Sequence, residues 1–341
     1  MPQNVRIGTR ASALALTQTG HVADAIARLG DVEIETVRVR TDGDRLAGSL
    51  STLGGTGVFV TALRDALLDG RCDVAVHSLK DLPTADPDGL ALAAVPPRED
   101  PRDALCARDG LTLATLPAGA TIGTGSPRRA AQLRAARPDL EVVDIRGNVD
   151  TRLGRVAGAR TTPAPDPDKP SPRGDLDAVV LARAGLARLG RLDAVTEVFD
   201  ADVMLPAPGQ GALAVETRDT GIGVDAHSPL ADALRALDHR PTRLAVLAER
   251  ALLARLEAGC AAPVGALAEL DDATGTLTLH AVVARTDGSA VLRRSASAQR
   301  TGSSAPDRAS EEAAARSLGE NLAELLLEAG AADLAELGAR R

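Results

Sequence analysis

Two stretches of this chain put arginines where free backbone N–H groups would also stand. Thr121-Ile122-Gly123-Thr124-Gly125-Ser126-Pro127-Arg128-Arg129 reads as a strand, a glycine turn and a helix start, with Ser126 as N-cap and Pro127 at the first helical position. Unpaired N–H groups and the helix dipole at such a terminus favour an anion. Cations there oppose the dipole, so Arg128 and Arg129 either meet an anion or sit on a solvated helix start. Ile145-Arg146-Gly147-Asn148-Val149-Asp150-Thr151-Arg152 repeats the layout, and Arg10 and Ser12 follow the first strand in the same way. Each segment alone is a weak signal. Together they gather guanidinium groups at strand ends, facing one cleft if the sheets are parallel. The planar guanidinium fork suits paired carboxylate or phosphate oxygens, so the expected ligand is polyanionic.

A different chemistry is offered by His77-Ser78-Leu79-Lys80-Asp81, which follows the apolar strand Asp73-Val74-Ala75-Val76. Ligands of open α/β sheets gather at the carboxyl ends of strands, and Pro83 stiffens the exit of this loop. Asp81 beside Lys80 is either a surface ion pair or a fixed carboxylate able to oppose a developing cation. Nothing matches a phosphate-binding P-loop or a dinucleotide fingerprint, and Gly54-Gly55-Thr56-Gly57 lacks the lysine a phosphate loop needs. Cys72, Cys106 and Cys260 are far apart, with no C-x-x-C pair, and the five histidines are scattered. No metal site and no disulfide framework is expected, and each thiol reads first as a small buried hydrophobe.

The elements that would position these residues alternate between strand and helix. Strands are expected at 5–7, 33–39 and 73–76, a helix after Ser12 closed by Gly30, and another at 59–68. Between them, 41–57 reads as a long mobile loop. A second series has strands at 104–107, 121–124, 141–145 and 176–182, with helices after Ser126, Asn148 and Ala184. The Pro- and Asp-rich residues 158–174 read as a disordered surface insertion. Beyond Val215 come helical stretches at 229–238 and 242–257, strands at 264–269, 276–284 and 290–297, and a long Ala/Leu/Glu-rich helix, the pattern of a small α+β domain. A length of 341 residues calls for two or three domains. A net charge of −8 and an aromatic content of 1% disfavour a nucleic-acid binder. No apolar run approaches a membrane span, and the start lacks a signal-peptide core, so a cytoplasmic protein with no membrane or nucleic-acid partner is expected.

In order along residues 5–330, the chain resembles the porphobilinogen deaminase (hydroxymethylbilane synthase) family. The matching segments are Ile7-Gly8-Thr9-Arg10-Ala11-Ser12, His77 to Pro83, Gly123 to Arg129, Ile145 to Arg152, Leu205-Pro206-Ala207-Pro208-Gly209-Gln210-Gly211 and Glu257-Ala258-Gly259-Cys260. The resemblance implies two doubly wound α/β domains similar to type II periplasmic binding proteins, residues 1–98 with 211–235 and residues 99–205. It adds a small α+β C-terminal domain, 240–341. It implies a monomeric transferase of tetrapyrrole biosynthesis. Such an enzyme joins four porphobilinogen molecules head to tail with loss of ammonia, and water then releases hydroxymethylbilane. The chain is built on a dipyrromethane cofactor held as a thioether, here by Cys260, while Cys72 and Cys106 keep the structural reading. By the same resemblance Asp81 is catalytic and favours an azafulvenium cation. Lys80, Thr124, Ser126, Arg128, Arg129, Arg146 and Gly147 hold the cofactor, and Arg10, Ser12, Arg152, Arg188 and Gln210 hold substrate.

Three departures from the family pattern stand out. Thr52 and Thr56 occupy a loop that often carries lysines, Ala258 replaces a frequent glycine, and the 158–174 stretch is long. Two rival classes remain at this stage. A non-enzymatic anion-binding module would need neither Asp81 nor Cys260. A nucleotide-dependent ligase or kinase would need phosphate-loop and magnesium signatures that the sequence lacks.

Overall fold

The computed structural model describes residues 2–39, 57–85, 87–158, 174–219, 228–258, 262–299, 307–335 and 337. The readings made for the 41–57 loop (Gly57 apart), for most of the 158–174 insertion and for Cys260 lie outside those residues.

In chain order the first elements are β1 (Gln3–Thr9), α1 (Ala13–Leu29), β2 (Val32–Arg38), α2 (Gly57–Leu68), β3 (Val74–Ser78) and β4 (Leu90–Ala94). A second set follows: β5 (Asp103–Ala107), β6 (Thr121–Gly123), α3 (Pro127–Ala136), β7 (Glu141–Val143), α4 (Val149–Leu153), β8 (Ala178–Ala182), α5 (Arg183–Arg188) and β9 (Glu197–Val198). The chain ends with β10 (Leu213–Arg218), α6 (Pro229–Leu237), α7 (Arg240–Arg255), β11 (Val264–Asp271), β12 (Thr276–Ala284), β13 (Val291–Gln299) and α8 (Arg308–Glu328).

These strands form two five-stranded sheets of matching design. The first has the order β2-β1-β3-β10-β4 and the second β7-β6-β8-β5-β9. In each, four strands run in one direction and a single strand, β10 or β5, runs against them. The sheets are therefore mixed, not parallel throughout. The chain enters the second sheet on its antiparallel strand β5 and returns to the first on its antiparallel strand β10. β10 escaped the sequence reading because it is buried on both faces and shows no alternation.

Alternation is clear in β8, where Ala178 and Val180 join one apolar cluster and Val179 and Leu181 the other. Val5 and Ile7 of β1 pack with Val22 and Ile26 of α1. Ser12 caps α1 by accepting from Ala15 N. Gly30 does not close that helix as a left-handed cap: its φ is −138°, an extended conformation. Its size is needed instead, because a Cβ there would lie 2.8 Å from Pro229 O of α6. α6 shares the first sheet's core through Leu230, Ala233 and Leu234, and so does not belong with the elements that follow it. The helix read as starting after Ala184 begins at Arg183. The third sheet is the meander β11-β12-β13, covered on one face by α7 and α8, whose apolar rows (Leu244, Ala248 and Leu252; Leu318, Leu322 and Leu326) follow helical spacing.

All three parts meet at one buried acid. Glu249 of α7 has no exposed surface and takes a two-pronged bond from Arg98, 2.6 and 3.0 Å, in the first crossover between the sheets. It also accepts from Gly209 N (2.6 Å) in the second crossover and from Ala268 N (2.9 Å) in β11. Removing the carboxylate strands a buried guanidinium and two backbone donors, a loss of about 3–5 kcal/mol for a broken buried pair. Glu249→Ala is expected to show that loss in chemical unfolding. A change near zero would mean that the junction is held by other contacts.

Candidate active site

The strand β3 ends in the segment predicted to do chemistry, and its neighbours fix that end firmly. His77 Nε2 lies 3.2 Å from Glu216 Oε2 of β10, and Arg64 of α2 grips the same carboxylate at 2.7 and 3.1 Å. Burial pushes the Glu216 carboxyl up, yet hydrogen bonds from His77 and Arg64 outweigh it and hold it at about 2. Ser78 and Gln18 of α1 exchange hydrogen bonds at 2.9 and 3.2 Å. The loop then makes one 3-10 turn, Leu79–Asp81, and Pro83 follows. A small cleft opens here, lined by Arg10, Gln18, His77, Ser78 and Asp81.

Leu79 N donates to Ala212 O, which docks the second crossover on this turn. Gly209 (φ 74°) and Gly211 (φ 86°) make the docking possible. A Cβ at Gly209 would lie 2.4 Å from Leu79 Cδ2, and one at Gly211 2.3 Å from Glu99 O. Both positions combine left-handed backbone with no room for a side chain.

The helix start of α3 differs from the sequence expectation in one respect. Arg128 and Arg129 are 4% and 5% exposed, which rules out a solvated helix start. They already face an anion within the chain, Asp103, the first residue of β5, which has no exposed surface. Arg129 Nε and Nη2 donate to Asp103 Oδ1 at 3.0 and 2.8 Å, and Arg128 Nη1 lies 2.8 Å from Oδ2. Burial pushes Asp103 up, but the two guanidiniums prevail and hold its carboxyl far below the usual range. Gln210 Nε2 donates to Asp103 Oδ1 (2.7 Å) and to Pro101 O (2.8 Å). Gln210 Oε1 accepts from Lys80 Nζ at 3.2 Å and from Arg129 Nη2 at 3.5 Å. Lys80, Gln210, Arg128 and Arg129 are thus brought into one network around Asp103.

The other expected site residues sit around this network. Ser126 Oγ caps α3 by accepting from Arg129 N, and Ser126 N donates to the buried Thr124 Oγ1. Arg152 Nε donates to Gly147 O at 2.8 Å; burial, and then Arg129 nearby, lower its pKa. Arg188 Nη2 donates to Gly211 O at 2.6 Å. Arg146 is exposed, 3.7 Å from Asp144, and Ser12 is an exposed helix cap. Neither is drawn into the network. Cys72 and Cys106 are buried in separate apolar clusters, as small hydrophobes would be, and burial pushes the Cys106 thiol up to about 12. Cys260 lies outside the described residues, between the end of α7 and the start of β11. No described helix is long and apolar enough to cross a membrane.

Asp103, Gln18, Glu216 and Glu249 were not singled out from sequence. A signal existed for two of them. Asp103 leads directly into the apolar run Ala104-Leu105-Cys106-Ala107, and Glu249 shares a helix face with Ala245, Leu252 and Leu256. An acid inside an apolar pattern is rarely buried without a partner.

Burial, and next to it the charge of Arg129, lower the Lys80 pKa to about 8. An unfolded lysine keeps about 10.5, so folded Lys80 binds fewer protons between those values and adds stability as pH rises across them. Lys80 and Lys169 are the chain's only lysines. Side-chain NMR of lysine-labelled protein without ligand should therefore show two signals, one titrating near 8 and absent in Lys80→Arg. Two signals titrating near 10.5 would contradict the packing described.

Comparison with known proteins agrees over the whole chain. The family description "Porphobilinogen deaminase, dipyromethane cofactor binding domain" matches residues 5–224, and "Porphobilinogen deaminase, C-terminal domain" matches residues 243–328. The porphobilinogen deaminase of Micrococcus luteus is 59% identical over 86% of this chain and 82% of its own length. That of Leifsonia xyli subsp. xyli is 57% identical over 98% and 94%, and that of Cutibacterium acnes 55% identical over 98% of both. Among solved structures, the immunogenic lipoprotein A of Vibrio vulnificus matches at 14% identity and a TM-score of 0.39, covering 68% of this chain and 94% of its own. The periplasmic aliphatic sulphonate binding protein SsuA of Escherichia coli matches at 14% identity and 0.37, covering 74% and 70%. Scores this low add nothing to the assignment, which rests on the sequence matches. With two family models spanning nearly all of its length and relatives more than half identical, the chain belongs to the porphobilinogen deaminase family.

Proposed function

We propose that this chain carries out its family's reaction, joining porphobilinogen units into hydroxymethylbilane, in the cleft between the Asp81 loop and the start of α3. The observation that carries this reading is a charge imbalance. Three cations, Lys80, Arg128 and Arg129, surround a single fully buried carboxylate. Arg128 Nε is buried and has no hydrogen-bond partner. An orphaned buried donor in a cationic pocket calls for an added anion, and a cofactor bearing acetate and propionate groups fits. The dipyrromethane cofactor, when bound, supplies the pyrrole on which the product grows.

The roles follow from that placement. Arg128, with Lys80 beside it, receives cofactor carboxylates, and Ser126, Thr124, Gly147 and Arg146 border the same place. Arg10 at the Asp81 cleft, together with Ser12, Arg152 and Arg188, takes the carboxylates of incoming substrate. Asp81 opposes the positive charge that appears on the substrate's aminomethyl carbon as ammonia departs, and accepts from the pyrrole N–H. The new carbon–carbon bond would replace the broken carbon–nitrogen bond, with release of the α-proton of the pyrrole that gains it, and water would end the sequence. Cys260, which lies in sequence between α7 and β11, holds the cofactor as a thioether. A cytoplasmic monomer is part of this reading, and the unpaired thiols of Cys72 and Cys106 fit a reducing compartment.

Two experiments test it. Intact mass should exceed the sequence mass by two pyrrole units, an increment lost in Cys260→Ser and kept in Cys72→Ser and Cys106→Ser. Retention in Cys260→Ser would refute the anchor. Asp81→Asn should keep the added mass but slow turnover about 100- to 1,000-fold, the usual cost of one preorganised electrostatic group. A near-normal rate would assign the cation to another residue.

A further inference from the structure

The two arginines at the start of α3 are not equivalent. Arg129 has partners at every nitrogen: Nε and Nη2 on Asp103, Nη2 also on Gln210, and Nη1 on Val180 O at 3.1 Å. Arg128 uses Nη1, toward Asp103 and Leu205 O, and leaves Nε buried without a partner. One of the pair is therefore saturated by the chain, while the other keeps donor capacity. Asp103 is what separates them. Its Oδ1 takes Arg129 and Gln210, and its Oδ2 faces Arg128.

Asp103 also reaches across the cleft. Gln210 touches it with its amide nitrogen and takes Lys80 Nζ on its amide oxygen, so Lys80 of the first sheet is set by an acid at a strand start of the second. A carboxamide has one donor end and one acceptor end, and Asp103 together with Pro101 O sets which end faces which side. Without the acid, Gln210 could turn over, and Lys80 would then meet an NH2 group.

We propose that Asp103 is a positioning residue that holds Arg128 and, through Gln210, Lys80 in ligand-receiving arrangement before any carboxylate of the cofactor arrives. Arg129 is its fixed partner and not a primary ligand contact. The ligand class is the one proposed above, pyrrole acetates and propionates, and the inference rests on that reading for it. The arrangement itself rests on the contacts of Asp103 alone.

The test uses a readout that a purely structural acid would not move. In full-length Cys260→Ser, which lacks the adduct, the Lys80 side-chain signal is titrated with and without Asp103→Asn. The groups facing Lys80 are Asp81, Asp103, Arg128 and Arg129, and of these Asp81 and then Asp103 work to raise its pKa. Removing that charge should move the Lys80 titration below about 8, while folding is followed by unfolding curves on the same sample. In the chain with Cys260 intact, Asp103→Asn should lower the fraction carrying the added mass at limiting porphobilinogen at least tenfold. Asp103→Glu should restore part of it, and it serves as the working variant if the asparagine form does not fold. A folded Asp103→Asn with an unmoved Lys80 titration and full loading would overturn the proposal. So would loss of loading that tracks loss of folded protein alone, or an Asp103→Glu form no better loaded than the asparagine form. Absence of any adduct in the unsubstituted chain would instead refute the function, and leave the Lys80 measurement as a test of the arrangement.

Discussion

A carboxylate with no exposed surface stays ionised only where cations and dipoles surround it, and Asp103 is that carboxylate here. It lies at the first residue of the strand by which the chain enters the second sheet. Two guanidiniums from the start of α3 and a carboxamide from the second crossover close around it. Removing one member of such a set leaves a buried charge without its counterpart, so the members specify one another's positions. Helix start, strand start and crossover are thereby tied at a point, and the cationic side of the cleft is formed before a ligand binds. That is the condition for electrostatic assistance without reorganisation during reaction.

The topology explains why this point coincides with the Asp81 loop. Each five-stranded sheet receives the incoming chain on an antiparallel strand, β5 in one and β10 in the other. β10 pairs with β3, whose carboxyl end becomes the Asp81 loop. The second crossover must therefore pass directly over that loop before joining β10. Gly209 and Gly211 allow the pass, and Gln210 between them reaches both Lys80 and Asp103. Glu249 holds the same segment from the other side, through Gly209 N and Arg98. The part of the chain that follows Glu249 along α7 leads to Cys260. Crossover and Asp81 loop thus share one neighbourhood.

Most of the element order was legible because it depends on local pattern. Ser12, Ser126 and Asn148 each cap a helix as their side chains allow, and β12 was read to the residue from its alternating run. β4, β9 and β10 were not read, since β9 has two residues and β10 has no exposed face. The site was legible as a set of cations but not as a balanced set. Arg128 and Arg129 could be recognised as anomalous at a helix start, because the dipole disfavours them. Their partner could not, because Asp103 lies 25 or more residues away along the chain and only the strand order brings it alongside. The anion inferred for Arg128 and Arg129 proved to be first an internal one.

That internal anion changes what the arginines imply about the ligand. A chain with a net charge of −8 has no surplus of cations to spend on burial, yet it buries two guanidiniums on one acid and sets the half-buried Lys80 close by. Guanidiniums keep their protons at any ordinary pH, so burial cannot relieve the excess by deprotonating Arg128 or Arg129. Lys80 can yield, and the strain falls there, where burial first and then Arg129 lower its pKa. An arriving carboxylate would remove that strain, since opposite charge restores the protonated amine. The cleft is therefore balanced only when an anion is added. Asp103 supplies enough negative charge for the chain to fold around its cations, and too little to leave them satisfied.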